Sequence, residues 1–219
     1  MSDAAMDRID PLTKLPGRAA FEADFAARLA RKAKNPAVVS LAVLDIDLFG
    51  AINEAHGRDG GDQLIRDLAE ALRARLDASC AVYRFGGDAI AAVMPGVEKE
   101  QAFLQMEAFR TACAGDREVA VAGKTVQIPV TVSAGLASYP DDGDKAPDVV
   151  HKANEALYRA KVSGRNKVCL AREEKMVTKT SHYMQGQLLG LRRLAERKKI
   201  GEAVLLREAL NDLLRKYNA

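Results

Sequence analysis

The chain has 219 residues, of which 48% are hydrophobic and 29% charged, and its net charge is +3. This length and composition allow one domain with a real core plus a small second unit, which excludes a disordered or fibrous protein. No stretch approaches the roughly 20 consecutive apolar residues that cross a bilayer, and the first residues lack a signal-peptide pattern. We therefore expect a cytoplasmic protein without a membrane partner.

The charge is distributed unevenly. Residues 171–219 contain eleven Lys and Arg against six Asp and Glu, a net charge of +5, whereas the rest of the chain carries −2. Such an asymmetry indicates that the C-terminal segment meets a polyanion, although a solvated basic helix face would have the same composition.

The first part of the chain alternates between strand and helix patterns. Residues 37–47, "AVVSLAVLDID", form an apolar, β-branched run that ends in two aspartates, which predicts a buried strand. Apolar residues at helical spacing predict a helix over 59–76. The stretch "YRFGGDAIAAVMP" (83–95) then predicts a hairpin of two strands, 81–85 and 89–94, whose turn uses Gly86 and Gly87 for positive φ angles.

The following residues continue this mixture. They predict a helix over 98–114, a short pair of strands, a core strand over 130–137, a helix that ends before Gly164, and a final strand. This order predicts a mixed α/β (α+β) fold in which helices flank a central mixed sheet.

The pattern changes at residue 171. A charged connector leads into "MVTKTSHYM" (176–184), which is strand-like, and into two amphipathic helices over 187–199 and 202–217. A strand and two helices bury too little apolar surface to be stable alone, so this unit is expected to dimerise. The predicted domains are therefore 1–170, a linker over 171–178, and a C-terminal domain over 179–219.

Acidic residues follow two of the predicted strands. Asp45 and Asp47 end the first strand, and Asp88 lies on the glycine turn. If the two groups converge at one sheet edge, their carboxylates can hold Mg²⁺, and the metal can hold a triphosphate. The alternative is that these acids only cap loops.

Five ordered blocks of sequence resemble the signature motifs of GGDEF domains, the diguanylate cyclases. They are "DPLTKLPGR" (10–18), "LDIDLFGAINEAHGRDGGDQL" (44–64), "YRFGGDAI" (83–90), "VTVSAGLA" (130–137) and "ANEALYRAKVSGRNKV" (153–168). The resemblance implies a nucleotidyl-cyclase-like fold that binds GTP with Mg²⁺ beside the glycine turn, two such domains meeting face to face to make cyclic di-GMP.

The resemblance also implies roles for individual residues. The implied metal ligands are Asp45, the backbone carbonyl of Ile46, and Asp88. The carboxylate of Asp88 is also the implied catalytic group, because it would help to activate the 3′-hydroxyl. The implied nucleotide-binding residues are Asn53 and Asp62 at the guanine edge, Gly86 and Gly87 in the turn, and Lys161 and Arg165 at the terminal phosphates.

Departures from the family pattern change the expected activity. Ala89 stands where the family has a metal-binding glutamate, Ile90 where it has phenylalanine, and Gly50 where it usually has lysine. Because two-metal phosphoryl transfer needs both ions in place, we expect little or no cyclase activity. The product-inhibition site is also absent, since Asp77 and Cys80 occupy its positions, which favours GTP over cyclic di-GMP as the ligand.

The segment over 179–217 resembles ribbon-helix-helix DNA-binding domains, in which two chains pair their strands into a ribbon that enters the major groove. The resemblance implies that the strand residues Lys179, Ser181 and Tyr183 face double-stranded DNA; a one-residue shift would instead expose Thr180 and His182. The implied phosphate contacts are Arg197, Lys198, Lys199 and Gly201. The alternative is a helical hairpin that serves only for dimerisation.

The combined hypothesis is a homodimeric transcription regulator whose degenerate GGDEF domain binds a guanine nucleotide, GTP or cyclic di-GMP, and whose tail binds operator DNA. The first alternative is an active diguanylate cyclase whose tail serves dimerisation. The second is a nucleotide-free scaffold that presents partners.

Overall fold

The computed structural model describes residues 9–30, 38–121, 123–171, 182–198 and 201–216. The chain divides into two compact units, Met1–Glu173 and Glu174–Ala219, which are described in turn. Within the described ranges, no helix is both long enough and apolar enough to cross a membrane.

The first unit contains four helices and seven strands among its described residues. In chain order they are α1 (Arg18–Leu29), β1 (Val39–Ile46), α2 (Phe49–Arg75), β2 (Ala81–Gly86), β3 (Ala89–Pro95), α3 (Lys99–Cys113), β4 (Gly115–Val121), β5 (Lys124–Val130), β6 (Val132–Tyr139), α4 (Ala146–Val162) and β7 (Val168–Leu170).

Five strands form the central sheet in the order β2-β3-β1-β6-β7. The pairs among β2, β3, β1 and β6 are antiparallel, and β6 pairs with β7 in parallel. The strands β4 and β5 form a separate hairpin. The predicted fold class, a mixed sheet flanked by helices, is confirmed.

The alternation of side chains along β1 separates two cores. Ala42, Leu44 and Ile46 pack with residues of α2 and α3, whereas Leu41 and Val43 pack with residues of α1 and α4 on the other face. Since successive side chains of a strand point to opposite faces, Asp45 belongs to the α1 and α4 side.

Two helices differ from the sequence prediction. The sequence pattern did not predict α1, whose Phe21 and Phe25 lie one turn apart, stack at 5.5 Å between ring centroids and are buried against the sheet. The helix α2 begins at Phe49, ten residues before the predicted start, and contains a break at Gly57, where φ is +74°. A glycine at this break allows two helical segments to meet at an angle.

Gly135 sets the distance between β6 and α4. A Cβ atom on this residue would lie 2.0 Å from the carbonyl oxygen of Ala153 and 2.2 Å from the backbone nitrogen of Leu157. Because backbone atoms of α4 cannot move aside as a flexible side chain can, α4 rests directly on the sheet at this point.

The second unit contains α5 (Gln185–Lys198) and α6 (Glu202–Lys216), close to the two predicted helices. Among its described side chains, the buried hydrophobic residues are Ala195 and Leu205, whereas Met184, Leu210 and Leu213 are at least half exposed. The predicted ribbon strand falls mainly on residues outside the described ranges, and residues 182–184 have no regular structure. The ribbon therefore stays a prediction.

We predict that Gly135→Ala destabilises the first unit by about 3 kcal/mol, the upper end of the usual cost of overpacking, because its methyl group meets backbone. Urea denaturation would measure this change. The control is Gly50→Ala, whose Cβ meets nothing within 4 Å, and which should leave stability nearly unchanged. Equal stability of the two variants would contradict the close packing of α4 on β6.

Candidate nucleotide site

Asp45 lies at the end of β1, beside the glycine turn. The antiparallel register of β1 and β3 runs to the pair of Leu44 with Ile90. Ala89, the first residue of β3, therefore lies beside the end of β1 that carries Asp45. The GGDEF resemblance implies a glutamate at this position, and here the side chain is a methyl group.

Lys161, in the last turn of α4, supplies the positive charge at this edge. Its Nζ lies 2.7 Å from Oδ1 of Asp45, whose side chain is 12% exposed. The contact is an ion pair by distance, but Oδ1 of Asp45 has no well-aligned hydrogen bond among the described residues. The charge of Lys161 therefore balances this buried carboxylate oxygen.

Asp88, on the glycine turn, lies within hydrogen-bonding reach of Asp45. Burial, together with the hydrogen bond and negative charge of Asp88, raises the pKa of Asp45 to about 6, and Lys161 opposes this shift. Asp45 and Asp88 therefore converge, as one of the two sequence hypotheses required.

The donor set fits one Mg²⁺ ion that also binds a nucleotide. No group of three or more His, Cys, Asp or Glu side chains suited to a metal occurs in the part of the chain that the structure describes. Mg²⁺ usually binds one or two carboxylates, and substrate phosphates and water complete its coordination. Two crowded carboxylates, one with an oxygen lacking an aligned hydrogen bond, match this requirement.

Asp47 does not join the acidic pair. This buried carboxylate accepts hydrogen bonds from Thr131 Oγ1 at 2.8 Å, Ser133 Oγ at 2.7 Å and the backbone N–H of Asn166 at 2.9 Å. The sequence hypothesis grouped Asp47 with Asp45 at one acidic edge, whereas the structure places Asp47 in a hydrogen-bond network inside the protein.

The two residues implied for guanine recognition lie on either side of the break in α2. Oδ1 of Asn53 is buried without a hydrogen-bond partner among the described residues, and a Cβ on Gly61 would come within 2.0 Å of it. Residue 61 must therefore be glycine for Asn53 to occupy this place, which brings Asn53 next to Asp62. An unsatisfied buried amide oxygen is a natural contact for a ligand donor.

Arg84 is a site residue to which the sequence analysis assigned no role. Burial lowers the pKa of its guanidinium, and the charges of Asp10, Asp88 and Asp62 oppose this shift. Within the described ranges, its Nη1 atom is buried without a hydrogen-bond partner. The only available signal was a basic residue within an apolar strand directly before the glycine turn.

The loops of the site have left-handed backbone conformations. Gly86 and Gly87 have φ angles of +145° and +57°, as the predicted turn requires, and a register shift separates Arg84 from Gly86. Arg165, which is exposed, also has a positive φ, and its N–H donates to the carbonyl of Ala160 in α4.

The residues implied for DNA contact lie in the second unit and are only partly described. Lys179, Ser181 and Lys199 fall outside the described ranges. Tyr183 is 46% exposed before α5. Arg197 and Lys198 form the end of α5, and Gly201 directly precedes α6.

The pKa of Asp45 predicts a pH-dependent loss of stability. Between its ordinary value of 3.8 and about 6, the folded chain binds a proton that the unfolded chain releases, so this contribution to stability falls as pH rises through this window. Asp88→Asn should remove part of the effect and raise the melting temperature near pH 7.5 by about 2–4 °C relative to the wild type, with a smaller gain near pH 4.

Lys161→Met serves as a control with the opposite expected effect. It removes the cation that favours ionised Asp45, so it should lower the melting temperature near pH 7.5. Differential scanning fluorimetry at both pH values would measure these shifts. Identical pH profiles for wild type and Asp88→Asn would contradict the proximity of the two carboxylates.

Comparisons with known proteins agree with this geometry. A family model described as "Diguanylate cyclase, GGDEF domain" matches residues 7–167. Diguanylate cyclase DgcP of Pseudomonas aeruginosa is 35% identical over 163 residues, which are 74% of this chain and 24% of that protein. Cyclic di-GMP phosphodiesterase NbdA of the same species is 31% identical over 161 residues, 74% of this chain and 20% of that protein.

A solved structure is similar over the same region. The GGDEF domain of DgcB from Caulobacter crescentus, in complex with c-di-GMP, has a TM-score of 0.69 and 29% identity, and the match covers 78% of this chain and 98% of that one. The chain spans less than a quarter of the length of the two curated relatives. Through residues 7–167, the chain belongs to the GGDEF domain family.

Proposed function

We propose that the first unit binds a guanine nucleotide with Mg²⁺ but has lost most or all cyclase activity, and that the second unit binds operator DNA as a homodimer. The observation that carries the first part is the combination at one sheet edge of Asp45, Asp88 and Lys161 with an alanine at position 89. The edge keeps groups that bind a nucleotide and lacks a carboxylate that the two-metal reaction uses.

The cations favour a nucleoside triphosphate over cyclic di-GMP as the ligand. Lys161 and Arg165 suit terminal phosphates, which cyclic di-GMP lacks. Asp77 and Cys80 stand at the positions of the product-inhibition site, where the side chain of Asp77 accepts the backbone N–H of Ser79 and its carbonyl accepts that of Cys80. We therefore propose a nucleoside triphosphate as the ligand.

The metal would lie between Asp45, Asp88 and the carbonyl of Ile46, where Mg²⁺ neutralises charge on the nucleotide phosphates. Lys161 already compensates Asp45 and can serve a phosphate from the same place. The negative charges of Asp62 and Asp88 both act on Arg84. Its Nη1 atom, which has no hydrogen-bond partner among the described residues, can therefore donate to a nucleotide oxygen between the base and the metal.

An active diguanylate cyclase is the second candidate. The observation in its favour is that Asp88 is retained within reach of Asp45, and several relatives, including DgcP, are named diguanylate cyclases. NbdA, a relative with similar identity, is named for cyclic di-GMP hydrolysis. Family membership therefore does not decide between cyclase activity and nucleotide binding alone. The alanine at position 89, where the metal site would need a carboxylate, favours a binding role.

The second unit is proposed to dimerise and bind DNA. Its exposed leucines, including Leu188, Leu189 and Leu210, provide apolar surface for a second copy. Arg197 and Lys198 give the end of α5 a positive charge, and the unit as a whole carries the basic excess of the chain. A nucleotide that changes the pairing of the first units would then change whether the second units fit DNA.

The nucleotide proposal predicts saturable binding of GTP in the presence of Mg²⁺, with cyclic di-GMP at least about tenfold weaker, a difference of roughly 1.4 kcal/mol. Asn53→Ala should weaken GTP binding by about tenfold or more, because it removes a contact to the base. Isothermal titration calorimetry would measure both, with Glu118→Ala on the β4-β5 hairpin as the control.

The same protein, incubated with GTP and Mg²⁺, should yield little or no cyclic di-GMP by chromatography. Adding Glu at position 89 and Lys at position 50, through Ala89→Glu and Gly50→Lys, should raise the yield. Synthesis by the wild type at rates typical of active cyclases would replace the proposal by its alternative.

The DNA proposal predicts binding to a palindromic duplex whose logarithmic affinity falls linearly with the logarithm of salt concentration, with a slope of about −0.9 per neutralised phosphate. Lys179→Ala and Tyr183→Ala should abolish specific binding, and Lys124→Ala on β5 should have no effect although it removes the same charge as Lys179→Ala. Fluorescence anisotropy would measure these affinities. Equal binding by all variants, or none by the wild type, would leave dimerisation as the role of the tail.

A further inference from the structure

The loop between α4 and β7, which carries Arg165, has an uncommon backbone conformation. Arg165 and Asn166 have φ angles of +60° and +47°, two consecutive non-glycine residues in the left-handed region. Side chains other than glycine reach this region at a cost in free energy, so such a loop persists only where surrounding contacts hold it.

One holding contact comes from Asp47. Its Oδ2 accepts the backbone N–H of Asn166 at 2.9 Å, and the same carboxylate is anchored by Thr131 and Ser133 next to and within β6. Asp47 is only 4% exposed, so these charge-assisted bonds form away from competing water. The residue after Arg165 is thereby tied to the strand end that carries Asp45.

A second contact comes from Glu107 on α3. Its Oε1 accepts the backbone N–H of Val168 at 3.0 Å, and its Oε2 lies 2.9 Å from Nη2 of Arg110. Nη1 of Arg110 in turn donates to Oδ1 of Asn166 at 2.8 Å. The hydrogen bond from Arg110 holds the pKa of Glu107 below its ordinary value, so Glu107 remains an acceptor at neutral pH.

The two carboxylates therefore hold the loop at two points, one within its left-handed pair and one after it. Asp47 holds Asn166 from the sheet, and Glu107 holds Val168 from α3. The third fixed point is the bond from the N–H of Arg165 to Ala160, one residue before Lys161. Lys161 and Arg165, the two cations of the proposed phosphate site, thus lie next to the residues that these hydrogen bonds fix.

We propose that Asp47 and Glu107 are positioning residues that hold Arg165 where it meets the terminal phosphates of a nucleotide. This inference rests on the proposed nucleotide-binding function. It gives a role to Asp47, which lies two residues after the proposed metal ligand Asp45 but is not itself a proposed ligand. It also gives a role to Glu107 on α3, a helix without a proposed contact to the nucleotide.

Asp142 offers a matched control at the opposite end of the same sheet. Its side chain is fully buried, accepts the backbone N–H of Ser138 at 2.8 Å, and lies 3.0 Å from Nζ of Lys99. It resembles Asp47 in burial and hydrogen bonding but holds no part of the nucleotide site. Glu100, also on α3, is the matched control for Glu107.

The experiment compares the affinities of the full chain for GTP and for guanosine in the presence of Mg²⁺, since their ratio isolates the contribution of the phosphates. Asp47→Ala and Glu107→Ala should each lower GTP affinity by about tenfold and leave guanosine affinity within about twofold, since the guanine contacts on α2 are untouched. Asp47→Asn retains an acceptor for Asn166 and should restore most of the ratio. Asp142→Ala and Glu100→Ala should leave the ratio unchanged.

The outcomes separate the two proposals. A wild-type protein that binds no GTP overturns the proposed function and the inference with it. GTP binding by the wild type, combined with an unchanged ratio in both Asp47→Ala and Glu107→Ala, overturns the inference alone, as does an equal loss in Asp142→Ala. If Asp47→Ala does not fold, Glu107→Ala decides, because Glu107 is partly exposed and its removal leaves the core intact.

Discussion

The ion pair between Lys161 and Asp45 connects the parts of the molecule on which its function depends. It joins the last turn of α4 to the end of the central strand β1, and it balances an edge where burial and Asp88 both oppose ionisation of Asp45. Without this cation, burial and the charge of Asp88 would raise the pKa of Asp45 further. The fold reaches this arrangement because Gly135 lets α4 rest directly on β6.

The substitution at position 89 acts on this edge through the strand register. In the proposed function, a glutamate at position 89 would add a third carboxylate near Asp45. Alanine lacks that charge, while the residues proposed to bind guanine and the terminal phosphates are retained. A site of this composition suits the binding role proposed above.

The second unit differs from the first in how little apolar surface it buries. Two short helices bury few of their described apolar side chains within one chain, and several leucines remain exposed. Exposed apolar surface of this kind supports the homodimer proposed above. Under that proposal, the second unit would bring two nucleotide-binding units into one dimer and would couple nucleotide occupancy to DNA binding.

Sequence by itself determined the family, most strand and helix positions and the alanine at position 89, and it predicted roles for the residues of the proposed metal and guanine sites. These follow from local patterns, because an apolar run, a glycine turn and a motif are each contained within a few neighbouring residues. Tertiary structure alone decided that Asp47 is used internally, that Arg84 lies among three acids with an unsatisfied nitrogen, and that Phe21 and Phe25 belong to a helix packed on the sheet. The contacts of Asp47 join residues that are 84 and 119 positions apart in the chain. Separations of that size depend on how the strands pair, so the local motif that assigned a metal-binding role to Asp45 could not show that Asp47 holds the loop between α4 and β7.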